Sequence, residues 1–220
     1  MTDQNNRRAV WGWALYDWAN SAFATTVMAG FFPIFFKQFW SYGADVNLST
    51  ARLGLGSALA GLLVALAAPV LGAIADRGCA RKTFLARFAA LGVFSTALLF
   101  FIGRGQWIGA ILVYTAGIVG FSGANIFYDA LLPHVAPRDQ LNRVSALGFA
   151  AGYLGGGLLF LLNVVMTLQP ERFGLPDSAA AVRWSFLTAA VWWGGFGLLA
   201  LRGSHESPPP TPKMRAGESI

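Results

Sequence analysis

Long apolar runs alternate with short polar connections along this chain, and that pattern predicts six membrane-spanning helices. A helix needs about 20 mostly apolar residues to cross a hydrocarbon core about 30 Å thick. Lipid cannot satisfy bare backbone polar groups, so a span must be a helix or a strand of a closed barrel. The length and unbroken apolarity of the runs favour helices. The predicted spans cover approximately residues 10–36, 53–75, 84–102, 107–132, 144–168 and 184–201.

The composition excludes an ordinary soluble domain. Of the 220 residues, 55% are hydrophobic and only 12% are charged, whereas a soluble domain carries roughly a quarter charged residues. The 26 glycines and 8 tryptophans fit a bilayer protein, in which small residues pack helices closely and indole rings concentrate near the headgroups. We therefore expect an all-α, multi-pass membrane protein that is surrounded by the lipid bilayer.

The sequence carries no pattern typical of an enzyme, a metal site or a nucleic-acid interface. Cys79 is the single cysteine, which excludes a disulfide framework and a multi-cysteine metal site. His134 and His205 have no nucleophile or further ligand near them in the sequence. The net charge is +6, but the 16 lysines and arginines are scattered between apolar runs without a basic face. We predict no enzymatic activity, no cofactor, no metal and no nucleic-acid partner.

The scattered basic residues instead predict the orientation in the membrane. Cytoplasmic segments of membrane proteins are enriched in lysine and arginine. With a cytoplasmic N-terminus, eleven basic residues lie inside and five outside. We therefore predict a cell (inner or plasma) membrane protein with both termini in the cytoplasm. The eleven are Arg7, Arg8, Arg77, Arg81, Lys82, Arg87, Arg138, Arg143, Arg202, Lys213 and Arg215.

The domain organisation follows from the end of the last span. Residues 1–9 are predicted to be a cytoplasmic N-terminal segment, residues 10–201 a six-span unit, and residues 202–220 a cytoplasmic linker or tail. Residues 207–212 read SPPPTP, which cannot form a helix and favours an extended, solvated segment. An ending inside a linker indicates a missing second half, although a simple disordered tail is equally compatible.

Two spans carry polar stripes. In the fourth span the polar residues fall within an arc of roughly 80° on one helical face; they are Thr115, Ser122, Asn125 and Asp129. The first span has a similar stripe of Asp17, Asn20, Ser21 and Ala24. Because polar groups are costly inside a membrane, the two stripes together predict a shared aqueous cavity. The alternative is that both carboxylates lie near cytoplasmic ends and are simply hydrated or salt-bridged.

Small residues predict where helices approach each other. Gly148, Gly152 and Gly156 share one face of the fifth span, which favours close packing, with a sliding face as the alternative. The second span has a comparable face, formed by Gly54, Ala58, Gly61, Ala65 and Ala68. The third and sixth spans are bulky and apolar, as lipid-facing helices are. Indole rings at span ends predict headgroup anchors at Trp11, Trp13, Trp40, Trp107 and Trp184.

Four segments carry a family resemblance. The connection between the second and third spans resembles the signature loop of the major facilitator superfamily through Gly72, Asp76, Arg77, Arg81 and Lys82, with Cys79 and Ala80 where the usual pattern has Gly and Arg. Residues 16–23 (YDWANSAF), 127–133 (FYDALLP) and 152–157 (GYLGGG) are similar to the vacuolar amino-acid effluxer family, named for its autophagy-related fungal members, and to its bacterial relatives.

That resemblance implies a fold and a set of roles. It implies the N-terminal half of a twelve-span transporter, built as two inverted three-helix repeats, with a C-terminal six-helix half as partner. The first and fourth spans would line the substrate path. The implied path and coupling residues are Asp17, Asn20, Ser21, Ser122, Asn125, Tyr128 and Asp129. In the gating loop, Asp76 would contact the other half, while Arg77 or Arg81 would pair with Asp129.

The function implied is secondary active transport of a small solute, with amino-acid export as the family-level expectation. Asp17 has no basic residue in its own predicted span, which makes it the better candidate for reversible protonation, whereas a paired Asp129 would act as a latch. One alternative is a non-transporting scaffold, or a half-size protein that requires a partner. A membrane-embedded enzyme is the second alternative, and it would need a convergent catalytic set.

Overall fold

The computed structural model describes residues 3–76 and 80–203, with side chains described for residues 7–74 and 80–203. Six helices in this part are long and apolar enough to cross a membrane, which confirms the predicted all-α, six-span class. The first helix, α1, consists of four consecutive helical segments, Asp3–Ala22, Phe23–Phe31, Phe32–Phe35 and Phe36–Trp40. The others are α2 (Val46–Asp76), α3 (Arg81–Leu98), α4 (Trp107–Val135), α5 (Leu141–Leu168) and α6 (Ser178–Gly203).

Aspartate caps explain why α2 and α6 begin earlier than the apolar pattern predicts. Asp45 Oδ1 accepts the backbone N–H of Asn47 at 2.8 Å. Asp177 Oδ1 accepts the backbone N–H of Ala180 at 2.7 Å. A side-chain oxygen at this position satisfies a donor that the first turn leaves open. The helices therefore include a polar first turn, which hydropathy alone does not detect.

The second half of α1 is wound more widely than an α-helix. Phe23–Phe31 and Phe36–Trp40 are π-helical, and Phe32–Phe35 between them contains Pro33. The Phe32 N–H donates to the carbonyl of Val27, five residues earlier. Proline has no N–H and cannot continue a regular α-helical ladder, and wider turns are one local adjustment that accommodates it. The apolar pattern of this span does not reveal the change of winding.

The packing of the six helices has an internal symmetry. The helix α1 packs against α5 and α6, while α4 packs against α2 and α3, and α3 also packs against α6. Exchanging helices 1, 2 and 3 with helices 4, 5 and 6 leaves these contacts unchanged, except that α5 also packs against α6 while α2 and α3 make no comparable contact within the described residues. The helices α1 and α4, which are partners under this exchange, run antiparallel and contact each other through Tyr16 with Tyr128 and Phe23 with Phe121. This pattern is that of two inverted three-helix repeats.

Burial corrects the predicted environments of three helices. Half of the most apolar window of α1 and of α4 is buried, against 6% for α2. The helix α2, rather than α3 or α6, is therefore the most exposed span. Within the described residues no helix covers its predicted packing face, where Gly54, Ala58, Gly61 and Ala65 are exposed, so that this packing stays a prediction. The contact between α2 and α4 uses another face, where Gly56 lies against Ile111.

Two predicted headgroup anchors are also wrong. Trp13 is 5% exposed and Trp40 is fully buried. The Trp13 indole N–H donates to the carbonyl of Tyr128 at 3.1 Å, and that of Trp40 donates to the carbonyl of Ile102 at 3.2 Å. A buried indole needs such a partner for its single donor. Trp11 and Trp184 are exposed, as an interfacial ring would be.

Candidate functional site

The predicted polar stripes of α1 and α4 meet in the interior of the helix bundle. Asn20 Nδ2 donates to Asn125 Oδ1 at 2.6 Å, and Asn20 is 2% exposed. The antiparallel alignment of the two helices brings these residues to the same depth. An amide can donate and accept at the same time, so each side chain keeps hydrogen-bonding capacity beyond this bond. The pair joins the two stripes into one polar surface.

The carboxylate of Asp17 lies one turn of α1 away from Asn20. Asp17 is half-buried, and both its carboxylate and the Ser21 hydroxyl lie against Gly152 of α5. Asp129 of α4 is exposed and follows Tyr128, whose ring contacts that of Tyr16, the residue before Asp17. The structure therefore brings the two predicted carboxylates to the same end of the polar surface. Ser122 is half-buried on the same face of α4.

An aromatic stack forms the wall beside these carboxylates. The ring of Tyr128 stacks on that of Trp13, with 4.4 Å between centroids, and is tilted against that of Tyr16 at 5.1 Å. The hydroxyl oxygens of Tyr16 and Tyr128 are buried and have no hydrogen-bond partner within the described residues. The hydroxyl of Thr115, further along the α4 stripe, has the same property. The wall therefore carries donors that other bundle residues do not use.

The three glycines of α5 lie directly against this surface. A methyl group added at Gly148 would meet the Trp13 ring and lie 3.1 Å from the Tyr128 hydroxyl. At Gly152 it would lie 2.6 Å from Ser21 Oγ, and at Gly156 2.9 Å from the carbonyl oxygen of Ser21. Only a glycine face lets α5 approach so closely. The glycines thus determine how near α5 comes to Asp17.

Several residues of the site were missed at the sequence level. Thr25 donates to the carbonyl of Gly156 at 3.1 Å, which ties α1 to α5. Trp18 lies over Gly155 and stacks on Trp192 of α6 with 5.6 Å between centroids. Trp18 is two residues from Asn20, about 200° around the helix, and so lies on a different face from the polar stripe. The spacing along α1 gave no signal for its contact with α6, because that contact joins residues 174 positions apart.

The predicted gating loop is only partly described. Gly72 lies in α2, where an added methyl group would have nothing within 4 Å. Arg77 lies outside the described residues, as does the side chain of Asp76. The Arg81 guanidinium donates to His134 Nε2 at 3.1 Å, which links the start of α3 to the end of α4. Lys82 lines a groove near Arg87. The pairing of a loop arginine with Asp129 stays a prediction.

The carboxylates and histidines do not assemble into a metal centre in the part of the chain that is described. There, no three His, Cys, Asp or Glu side chains form a group that could hold a metal ion. The chemistry of the site is therefore that of two amides, two carboxylates, hydroxyls and aromatic rings. Such a set can bind polar groups and exchange protons.

Comparison with known proteins places this geometry in a family. The family model described as "Vacuole effluxer Atg22 like" matches residues 5–52 and 41–220. The "Uncharacterized MFS-type transporter YxiO" of Bacillus subtilis (strain 168) is 40% identical over 196 residues, which cover 88% of this chain and 46% of that protein. An "Uncharacterized protein" of Aquifex aeolicus (strain VF5) is 27% identical over 163 residues, 74% of this chain and 40% of that protein.

The extent of these matches bears on what the chain represents. It spans less than half the length of either curated relative. No solved structure matches the chain. The family match covers nearly all of the sequence, including both polar stripes and the glycine face of α5, and the Bacillus relative is an MFS-type transporter by name. The chain belongs to the family of vacuole effluxer Atg22-like proteins.

Proposed function

We propose that this chain forms one six-helix half of a secondary transporter that exports a small polar solute, and that amino acids are the solute class. The observation that carries the proposal is the hydrogen bond between Asn20 and Asn125. Paired amides in the interior of an apolar helix bundle are costly, and such groups mark solute or ion pathways in membrane proteins. The word "effluxer" in the family description supports the direction.

The proposed roles follow from the chemistry of each group. Asn20 and Asn125 contact the solute, because amides can accept from an ammonium group and donate to a carboxylate. Asp17, half-buried beside Ser21, exchanges a proton and couples transport to a proton gradient. Asp129, at the end of the same surface, pairs with a loop arginine as a latch. The unpaired hydroxyls of Tyr128 and Tyr16 complete the lining.

The proposed partner is a second six-helix unit that supplies the other walls of the path. Support comes from the exposed face of α2 and from relatives more than twice as long as the matched region. We propose that the assembled protein lies in the cell membrane with the N-terminus in the cytoplasm. The connections on the same side of the membrane as the N-terminus hold most of the basic residues, which supports this orientation.

The test is transport by the complete protein in liposomes, with radiolabelled amino acids compared with sugars. Asn20→Leu and Asn125→Leu remove the amides and keep side chains of similar size. We expect each to lower the initial amino-acid transport rate by about tenfold or more, since one hydrogen bond to a charged group contributes about 1.5–3 kcal/mol.

A matched control removes a comparable bond elsewhere. The Thr188 hydroxyl of α6 donates to Asn163 Oδ1 of α5 at 3.0 Å, away from both stripes. Thr188→Val should leave the transport rate within about twofold of the wild type. Normal rates in both asparagine variants, or a sugar as the preferred solute, would contradict the proposal.

A further inference from the structure

A cavity of about 490 Å³ lies at the end of the bundle opposite the N-terminus. Three parts of the chain form it, namely the last turns of α1, the connection between α3 and α4, and the junction of α5 with α6. Its volume is in the range of pockets that hold small molecules. Neither Asn20 nor Asn125 lines it. The cavity is therefore separate from the polar surface described above.

One wall of this cavity is aromatic. Phe31, Phe35 and Phe39 follow one another at four-residue intervals along α1, and all three line the cavity. The ring of Phe39 stacks on that of Phe35 with 4.5 Å between centroids. Val182 of α6, which is buried, adds to the apolar lining. This wall can cover the apolar part of a ligand.

Two side chains of opposite charge also line the cavity. Arg104 belongs to the connection between α3 and α4, and Asp177 directly precedes α6. Both side chains are exposed. Among the residues that the structure describes, neither of them forms an ion pair. A small ligand with two charges of its own can therefore interact with both.

Arg104 is held in place through the face of its guanidinium. This group lies over the ring of Tyr42, 3.5 Å from the centroid. The Gly105 N–H donates to the carbonyl of Phe39 at 3.0 Å, which ties the connection to the end of α1. A guanidinium carries N–H donors in a planar fork that matches a carboxylate. Arg104 is thus arranged to bind a carboxylate group.

Asp177 is also held in place and keeps one oxygen available. Its Oδ1 accepts the Ala180 N–H at the start of α6, whereas Oδ2 accepts no hydrogen bond within the described part of the chain. The Ser178 hydroxyl donates to the carbonyl of Thr167 at 2.9 Å, which fixes the start of α6 against the end of α5. A carboxylate oxygen forms strong, charge-assisted hydrogen bonds with an ammonium group.

We propose that this cavity binds a free α-amino acid with an apolar side chain. Arg104 binds the carboxylate, Asp177 binds the ammonium group, and the phenylalanine wall covers the side chain. The ligand class follows from the lining itself and does not rest on the proposed function. The cavity is a second site for the same class of solute, and the predicted orientation places it outside the cell, where an exported solute is released.

The test is the binding of tritiated leucine to the complete protein in detergent, measured by scintillation proximity. The competitors are leucine, leucine amide, which lacks the carboxylate, and 4-methylpentanoate, which lacks the ammonium group. A hydrogen bond to a charged group contributes about tenfold or more in affinity, so leucine should compete better than either analogue by that factor. Phosphatidylethanolamine carries an ammonium group and an anion as well, and more effective competition by this lipid would overturn the proposal.

Two substitutions remove the charges, and the chain offers a matched control for each. Arg104→Gln and Asp177→Asn should each weaken leucine binding by about tenfold or more. Asparagine also caps helices, so Asp177→Asn keeps the start of α6. Arg52 lies over the ring of Trp107 at 4.1 Å, Asp45 caps α2, and neither of these charged residues lines the cavity. Arg52→Gln and Asp45→Asn should therefore bind leucine within about twofold of the wild type.

The choice between ligands separates direct contacts from a general loss of structure. Asp177→Asn should no longer distinguish leucine from 4-methylpentanoate, and Arg104→Gln should no longer distinguish leucine from leucine amide. Retained discrimination in both variants, equal losses in the controls, or no leucine binding would contradict the proposal. Asn20→Leu should still bind leucine at the cavity, and loss of binding in this variant alone would place the ligand on the polar surface instead. Transport that is unaffected by Arg104→Gln and Asp177→Asn in the absence of cavity binding would leave the proposed function standing and overturn only this site.

Discussion

Gly152 of α5 lies directly against the Asp17 carboxylate of α1. A methyl group added at Gly152 would be 3.1 Å from Asp17 Cγ and 2.6 Å from Ser21 Oγ. The carboxylate is therefore covered on one side by the backbone of α5 rather than by a side chain. Any movement of α5 along α1 changes the exposure of this carboxylate. The packing of the glycine face therefore affects the group proposed to exchange a proton.

Gly152→Ala should destabilise the protein. The added methyl group forces Ser21 and Asp17 to shift, and overpacking of this kind costs about 1–3 kcal/mol. We expect a lower unfolding temperature, measured by thermal denaturation in detergent. Gly157→Ala is the control in the same helix, because a methyl group there has nothing within 4 Å. An equal effect of the two substitutions would show that the contact with α1 is not tight.

Gly120→Ala should be more damaging than Gly152→Ala. The methyl group would meet the backbone of Gly92 in α3, with its Cα at 2.7 Å, and a backbone cannot move aside as a side chain can. We expect α3 and α4 to separate and the yield of folded protein to fall, measured by size-exclusion chromatography. Gly61→Ala in α2, an open position, should fold normally. A well-folded Gly120→Ala protein would contradict this close approach.

The two carboxylates should respond differently to neutralisation. Asp17→Asn in the complete protein should abolish transport driven by a proton gradient but preserve exchange of labelled for unlabelled solute. The reason is that exchange needs only the solute contacts, whereas net proton-coupled flux needs a group that gains and loses a proton. Both rates are measured in the same liposomes. Unchanged dependence of transport on external pH in Asp17→Asn would remove this residue from coupling.

Asp129→Asn should instead weaken gating, and exchange of charges between Asp129 and Arg81 should restore part of the activity. The reason is that a latch depends on the attraction between the two charges and not on which helix carries the negative one. The readout is the transport rate divided by the amount of protein in the membrane. No rescue by the charge exchange would contradict the latch, and rescue with Arg77 in place of Arg81 would reassign its partner.

The orientation can be tested with the single thiol of the chain. Cys79 lies outside the described residues, in the connection between α2 and α3. Because this connection belongs to the basic side, a membrane-impermeant thiol reagent should label it in inverted vesicles and not in intact cells. Labelling of intact cells would reverse the predicted topology.

Periodicity predicted the parts of the structure that depend on one helix at a time. The six spans and the stripe residues Asn20 and Asn125 were available from spacing, and the stripes were expected to share a cavity. The burial of the indole rings could not be predicted in this way. Trp13 is buried because its N–H donates to the carbonyl of Tyr128 in α4, 115 residues away in the sequence. Likewise, Gly54 and Gly61 form a small-residue face, but no helix in the described part covers it.

The symmetry of helix packing has a consequence for biosynthesis. Because α1 packs mainly against α5 and α6, and contacts α2 only through its final segment Phe36–Trp40, the first three helices to leave the ribosome cover little of one another. The Trp192 indole donates to the carbonyl of Trp18, a contact across 174 positions of the chain. Native pairings this distant in sequence form slowly. Asn20 of α1 is therefore synthesised well before Asn125 of α4, and its amide lacks this hydrogen bond until α4 has been made.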